Sequence, residues 1–432
     1  MFGVRTDLGK LSSTVAERVG SELAEEHLRL RRLGTPPWTP EEELFFAQSV
    51  AMNEVVRVSN TFVSEGKEAL STSEQETLTS MAIAQVLGLG RLQLLMDDEE
   101  ITDIHVKGSG SVWVKLRSGI REERPPVVDS DDELIDLIRR AATRLGRAER
   151  RFDSASPELN LQLPDGSRLF AAMEVSMRPT LIVRKHQFSL SRLADLQERG
   201  LCDSLTSSFL GAAVRAKRNL IICGGTGSGK TTLLRSLINE VDPSERIVTI
   251  EDAYELGIER FGDLHPDHDA LQARPANIEG KGEITLADLT RMALRMDPDR
   301  VIVGEVRGAE AFPMLLAMSQ GNNGSMCTMH ADSARSVFPK LAAYVSMAST
   351  GLPVETINNI IASAVHFVVH IDQFDGMRRI KSILEVVEAQ GPTIISNEVY
   401  SWGRTERNRR FSSMRQISRT MLEDHGFTLV GV

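Results

Sequence analysis

Residues 219–241 read NLIICGGTGSGKTTLLRSLINEV. A short apolar run enters a loop containing Gly224, Gly225, Gly227 and Gly229, and a stretch with leucines at helical spacing leaves it. The loop fits G-x-x-x-x-G-K-[ST], in which glycines let backbone N–H groups converge on phosphate oxygens at the positive end of a helix. The spacing predicts nucleotide contacts from Gly225, Thr226, Gly227, Ser228, Gly229, Lys230, Thr231 and Thr232. Lys230 would reach the β- and γ-phosphates and the Thr231 hydroxyl would ligate Mg²⁺, so ATP and Mg²⁺ are the ligands to expect. A glycine-rich turn with an incidental lysine is the bland alternative, and the strand before and helix after argue against it.

Working outward, RIVTI (246–250) and RVIVG (300–304) are further short apolar runs separated by helical stretches such as TLADLTRMALRM. Strand, glycine turn and helix repeated in this way predict an α/β domain with a parallel sheet, which binds its ligands at the carboxyl ends of the strands. RIVTI runs into Glu251, Asp252 and Glu255, and RVIV into Glu305 and Arg307. Hydrolysis needs carboxylates to hold a hydrated metal and to take a proton from water. Acids at one strand end ordinarily just face solvent, but two such clusters beside a phosphate loop are less easily dismissed. The residues alone do not rank Glu251, Glu255 and Glu305 as base.

The 432 residues allow two or three domains and exclude a single small module. Hydrophobic content of 41% and charged content of 25% exclude wholesale disorder. Upstream, residues 1–90 read as a helical bundle, with Thr39-Pro40-Glu41-Glu42 as a helix start. Residues 91–204 read as a smaller α+β domain, with ITDIHVKG and SVWVKLRSG as strands, DDELIDLIRRAATRLG as a helix and a hairpin around Pro164-Asp165-Gly166. Residues 205–432 read as the α/β domain that carries the phosphate loop, ending in a helical part and a basic tail with six arginines from 404 to 419. The net charge of -10 is concentrated at the front, where residues 1–100 hold nine basic and seventeen acidic side chains. The nearly neutral remainder neither favours nor excludes contact with nucleic acid. Cys202, Cys223 and Cys327 form no C-x-x-C pair, which fits a reducing compartment, and no apolar run approaches the length of a membrane span.

The order on the chain is phosphate loop, EDAYE (251–255), IVGEVRG (302–308) and GSMCTMHA (324–331). These four elements resemble the Walker A, Asp box, Walker B and His box of the secretion ATPase superfamily that drives type II secretion, type IV pili and type IV secretion. The stretches ARPANIEGKGEITLADLTRMALRMDPDRVIVGEVRGAEA, GLPVETINNIIASAVHFVVHI and LPDGSRLF look closest to the tight-adherence pilus branch. The resemblance implies a RecA-like motor domain in a homo-hexamer, cytoplasmic and peripheral at the inner face of the membrane. Its partner would be a polytopic platform protein of a pilus or secretion system, with no direct nucleic acid expected; protein or DNA export by a type IV secretion or conjugation ATPase is the alternative. It implies Glu255 as general base with Glu251 supporting it, Glu305 near the metal with Thr231, and His330 sensing the γ-phosphate. It further implies that Arg168 and Arg184 of the α+β domain approach the nucleotide, with Arg274 and Arg307 as weaker candidates.

The chain departs from the superfamily pattern at Asn322-Asn323, where a histidine is frequent, and at Gln272-Ala273, where Glu-Thr is frequent. His265-Pro-Asp267-His268 has metal-ligand residue types but no further partner in the sequence. His366 and His370 fall on an apparent strand, where four-residue spacing puts them on one face but too far apart to share an ion. The arginine-rich tail reads more simply as a solvated helix face than as a lipid contact.

Overall fold

The computed structural model describes residues 8–36, 38–145, 151–163, 165–185, 192–277, 279–374, 376–402, 410–412 and 414–428. The chain divides into two compact units, Met1–Gln187 and Phe188–Val432. Pro164 and the tail arginines 404, 407 and 409 lie outside the described residues.

In the first unit, α1 (Leu8–Leu33), α2 (Pro40–Ser64) and α3 (Thr72–Leu87) pack around Val15, Val19, Leu23, Ala47, Ala51, Val55, Leu78 and Ala82. Both later helices start on a capping box, Thr39 with Glu42 and Ser71 with Glu74, in which hydroxyl and carboxylate satisfy reciprocal backbone N–H groups. After α4 (Leu92–Asp97) come β1 (Ile101–Lys107), β2 (Val112–Leu116), β3 (Arg121–Arg124), α5 (Asp131–Leu145), β4 (Glu158–Gln162), β5 (Arg168–Ala172) and β6 (Thr180–Arg184). The strands form one antiparallel sheet in the order β3-β2-β1-β6-β5-β4. Their alternation is that of a half-buried sheet: Val112 and Val114 are buried, whereas Trp113 and Lys115 face out. The buried face meets Leu134, Leu137 and Ile138 of α5.

The second unit begins with α6 (Leu193–Glu198) and α7 (Ser204–Arg215). Residues 192–204, expected with the α+β domain, fall here because Leu193, Leu196, Leu201 and Cys202 share a core with Phe209 and Ile222. There follow β7 (Leu220–Gly224), α8 (Lys230–Ile238), β8 (Ile247–Glu251), a 3₁₀ turn (Ile258–Phe261), β9 (His268–Gln272), α9 (Leu286–Ala293), β10 (Arg300–Val306), α10 (Ala311–Ser319) and β11 (Met326–His330). Then come α11 (Val337–Met347), α12 (Val354–Ala364), β12 (Phe367–Phe374), β13 (Met377–Gln390), β14 (Thr393–Ser401), β15 (Arg410–Phe411) and α13 (Gln416–Glu423). The sheet runs β15-β14-β13-β12-β7-β11-β10-β8-β9. From β12 to β9 it is parallel; β13, β14 and β15 extend it antiparallel.

The fold is therefore the expected α/β architecture, except that the segment after α12 is mainly sheet. RRIKSILEVVEAQ owes this to its β-branched residues, Ile380, Ile383 and Val386 being buried. β7 is buried on both faces, Leu220 and Ile222 entering one core and Ile221 and Cys223 the other. All three cysteines are free and buried, and burial pushes the thiols of Cys202 and Cys223 up to about 12.

Buried polar groups fix the amino edge of this sheet. The Asn219 amide donates to the carbonyls of Met318 (2.7 Å) and Ala364 (2.6 Å), and its oxygen accepts from the N–H groups of Gly324 (2.8 Å) and Ser325 (3.1 Å). The fully buried Arg300 donates a fork to Glu245 (2.9 and 2.8 Å) and further bonds to the carbonyls of Val214 and Gly324.

Candidate active site

β7 delivers the chain into the loop at Gly224. A Cβ there would lie 2.4 Å from the Ile371 carbonyl oxygen and 2.7 Å from Ser228 Oγ, so glycine alone lets β12 and the loop close up. Gly229 adopts φ +100° as it turns into α8, placing the helix amino end beneath the loop. Gly225, Thr226 and Gly227 are exposed on the crest, and Thr232 lies in the first turn of α8. Ser228 is buried, and its Oγ has no hydrogen-bond partner. Such an orphaned hydroxyl inside a phosphate loop fits a polar ligand.

The other residues gather around that loop. Lys230 Nζ donates to the carbonyls of Gly224 (3.2 Å) and Gly225 (2.9 Å). Burial depresses its ammonium below the usual range, while Glu305 and Glu255 act in the opposite sense. Thr231 Oγ1 donates to Glu255 Oε2 at 3.5 Å. Glu305 Oε1 lies 2.8 Å from His330 Nε2, and both side chains are partly exposed. His330 is held in turn through its carbonyl, which accepts from Lys340 Nζ at 2.7 Å. Thr328, two residues earlier on β11, donates to the Gly304 carbonyl of β10 at 2.5 Å.

Glu251 differs from the other acids. It is 3% exposed, and its Oε2 accepts the backbone N–H groups of Glu255 (2.7 Å) and Leu256 (2.8 Å). Burial raises its carboxyl to about 7, with those two hydrogen bonds working against the shift. Glu251 thus shapes the turn that carries Glu255. Sequence reasoning misses Arg235, which is buried on α8 and donates to the Glu255 carbonyl at 2.5 Å. A polar residue on the inner face of the helix after the loop is its only signal.

Arg168 and Arg184 belong to the first unit, where they are cross-strand partners on β5 and β6. Arg184 Nε bonds Asp103 at 3.2 Å. Arg307 pairs with Asp252 at 2.9 Å, and Arg274 donates to the Gly282 carbonyl at 2.9 Å. Of the discounted histidines, His265 is buried, its neighbour Asp267 pairs with Arg246, and His366 Nδ1 accepts the Asn219 N–H at 2.9 Å. In the tail, Arg415 bonds the buried Glu385 at 2.9 Å and Arg419 pairs with Glu423 at 2.8 Å, so both are engaged within the fold.

A phosphate loop at the carboxyl edge of a parallel sheet, flanked by carboxylates from neighbouring strands, defines a P-loop nucleotide hydrolase. Residues 87–428 match the family model described as Type II/IV secretion system protein. The chain belongs to this family, and it is an ATP-hydrolysing enzyme. It is 35% identical over 330 residues to a Mycobacterium tuberculosis protein named for conjugal transfer, covering 74% of this chain and 90% of the relative. The type IV secretion system protein VirB11 of Brucella suis is 31% identical over 309 residues, covering 64% and 82% respectively. Among solved structures, the Legionella pneumophila ATPase DotB is similar at 19% identity and TM-score 0.49, over 68% of this chain and 79% of that one. No described helix is long and apolar enough to cross a membrane.

Proposed function

We propose that this chain is a Mg²⁺-dependent ATPase that works as a hexameric ring at the inner face of the cytoplasmic membrane and powers a tight-adherence or type IV-like pilus or a type II secretion filament. The carrying observation is the gathering of Glu305 and His330 from two strands, and of Glu255 from the turn after β8, around the Lys230–Thr231 corner. Gly225 to Thr232 would cradle the triphosphate with their backbone N–H groups, Lys230 would exchange its loop carbonyls for phosphate oxygens, and the Ser228 hydroxyl would gain a partner. Hard oxygen donors suit Mg²⁺, and Thr231 and Glu305 would hold it. The ion supplies charge neutralisation at the phosphates.

Glu255 accepts the proton of a water attacking the γ-phosphate in line, while Lys230 offsets the charge that develops. Glu251 positions Glu255 through its backbone, and His330, held against Glu305, reports the γ-phosphate. Arg168 and Arg184 add charge from a neighbouring subunit, for which their fork geometry suits phosphate oxygens. Movement of the α+β domain against the motor then drives a polytopic membrane partner. The domains are taken as a bundle over 1–90, an α+β domain over 91–187 and the motor beyond.

Export through a type IV secretion or conjugation machine is the second reading, favoured by relatives named for conjugal transfer and type IV secretion. Phosphate release by the purified full-length protein, with Mg²⁺, tests both. Release that Lys230→Ala leaves at the wild-type rate would refute the assigned site. Strong stimulation by DNA, with none by membranes carrying the pilus platform protein, would favour export over the pilus.

A further inference from the structure

Sheet order puts the loop between two unlike neighbours. Gly224 pairs with His330 of β11 on one side and with Ile371 of β12 on the other. The carboxylates and the histidine assigned to the γ-phosphate come from the β11 side, where β11, β10 and the end of β8 bring His330, Glu305, Glu251 and Glu255. On the other side β12 continues past Ile371 to Phe374, an overhang of three residues or roughly 10 Å. It returns as β13, on which Arg378 pairs with Gln373.

Arg378 therefore stands over the loop. Its Cδ lies 3.5 Å from where a Cβ on Gly229 would sit, and its side chain is exposed. The other cations of the hairpin are engaged. Arg379 stacks on Trp402 at 4.1 Å, and Lys381 pairs with Asp372 at 2.7 Å. Among the described residues Arg378 makes no ion pair, and the buried, partnerless hydroxyl of Ser228 lies in the same corner, beside Gly224 and the Ile371 carbonyl.

Resting on the ATPase reading above, we propose that Arg378 is a nucleotide-binding residue that holds the α- and β-phosphates of an adenine nucleotide from the side of the loop opposite the catalytic carboxylates. A guanidinium there contacts the part of the nucleotide that ATP and ADP share, so it stabilises both alike. Binding that is uniform in ground and transition state appears in affinity and KM and not in kcat.

Full-length wild type, Arg378→Gln and Arg378→Lys are titrated with fluorescent ADP, and KM and kcat for ATP are measured with Mg²⁺. Arg378→Gln should weaken ADP binding and raise KM about tenfold, the scale of one charge-assisted hydrogen bond, with kcat moving less than about threefold. Arg378→Lys should recover part of the loss. Because the side chain is exposed, the thermal midpoint should not move, which separates a binding loss from misfolding. Wild type that binds ADP, with Arg378→Gln binding equally well, overturns the inference alone. A fall in kcat with ADP affinity kept also overturns it and moves Arg378 to the γ-phosphate. Wild type that binds no ADP removes the ATPase reading and this inference with it.

Discussion

Replacing Glu251 by glutamine tests whether its carboxyl is buried at a cost. In the folded chain the group titrates near 7, against 4.5 in its ordinary state. A raised carboxylic pKa means the folded state keeps a proton the unfolded state has lost, so stability falls as pH rises through this window. The penalty is nearly absent below 4.5 and complete above about 7. Between pH 5 and 8 it grows by roughly 2–3 kcal/mol, on the scale of a little over 1 kcal/mol for each pKa unit. For a unit of this size that corresponds to a thermal midpoint change on the order of 5–10 °C. Glutamine keeps the shape and can still accept the two N–H groups, but it never charges. The gap between the Glu251→Gln midpoint and that of wild type, followed by calorimetry of nucleotide-free protein, should therefore shift in favour of the variant as pH rises from 5 to 8. Any fixed cost of the amide cancels in that comparison. A gap that stays flat across the range would show that the carboxyl is not held at a raised pKa, and the reasoning about burial would be wrong.

Three further outcomes follow from the same geometry. Glu255→Gln should lower kcat by about 10²–10⁴-fold, as for loss of a general base, with ADP affinity within a fewfold of wild type; a kcat within a fewfold of wild type would remove Glu255 from that role. Gly224→Ala must push a methyl against the Ile371 carbonyl, so a loss of a few kcal/mol in urea unfolding is expected, together with loss of nucleotide binding. Arg300→Met leaves the buried Glu245 with Lys217 at 3.0 Å as its one remaining ion-pair partner among the described residues, and about 3–5 kcal/mol of stability should be lost; Arg300→Met with Glu245→Gln should recover part of it.

The parts legible in the sequence are those whose chemistry is local. The phosphate loop packs its glycines, lysine and threonine into eight residues, and the capping boxes at Thr39 and Ser71 each span four. Glu251 reads as an acid at a strand end, but its bonding to the N–H groups four and five residues on depends on a bend that periodicity does not encode. Arg300 lies 55 residues from Glu245 and 86 from Val214, and Arg378 lies far beyond Gly229 on a strand that the parallel rhythm does not anticipate. Contacts across such distances follow from sheet order, which no window of sequence contains. The expected boundary near residue 204 slips for a related reason, since Leu193 and Leu196 are apolar residues that either neighbouring core would accept.

The three cysteines carry a practical consequence for studying the enzyme at work. Buried, uncharged at working pH and closed to solvent, their sulfurs should stay silent toward maleimide and other thiol reagents while the protein is folded. A pair of reporter thiols introduced on the exposed surface of each unit could then be labelled without stripping the native ones. Distance changes during turnover would be read on a chain whose β7 and β11 keep the side chains they fold with.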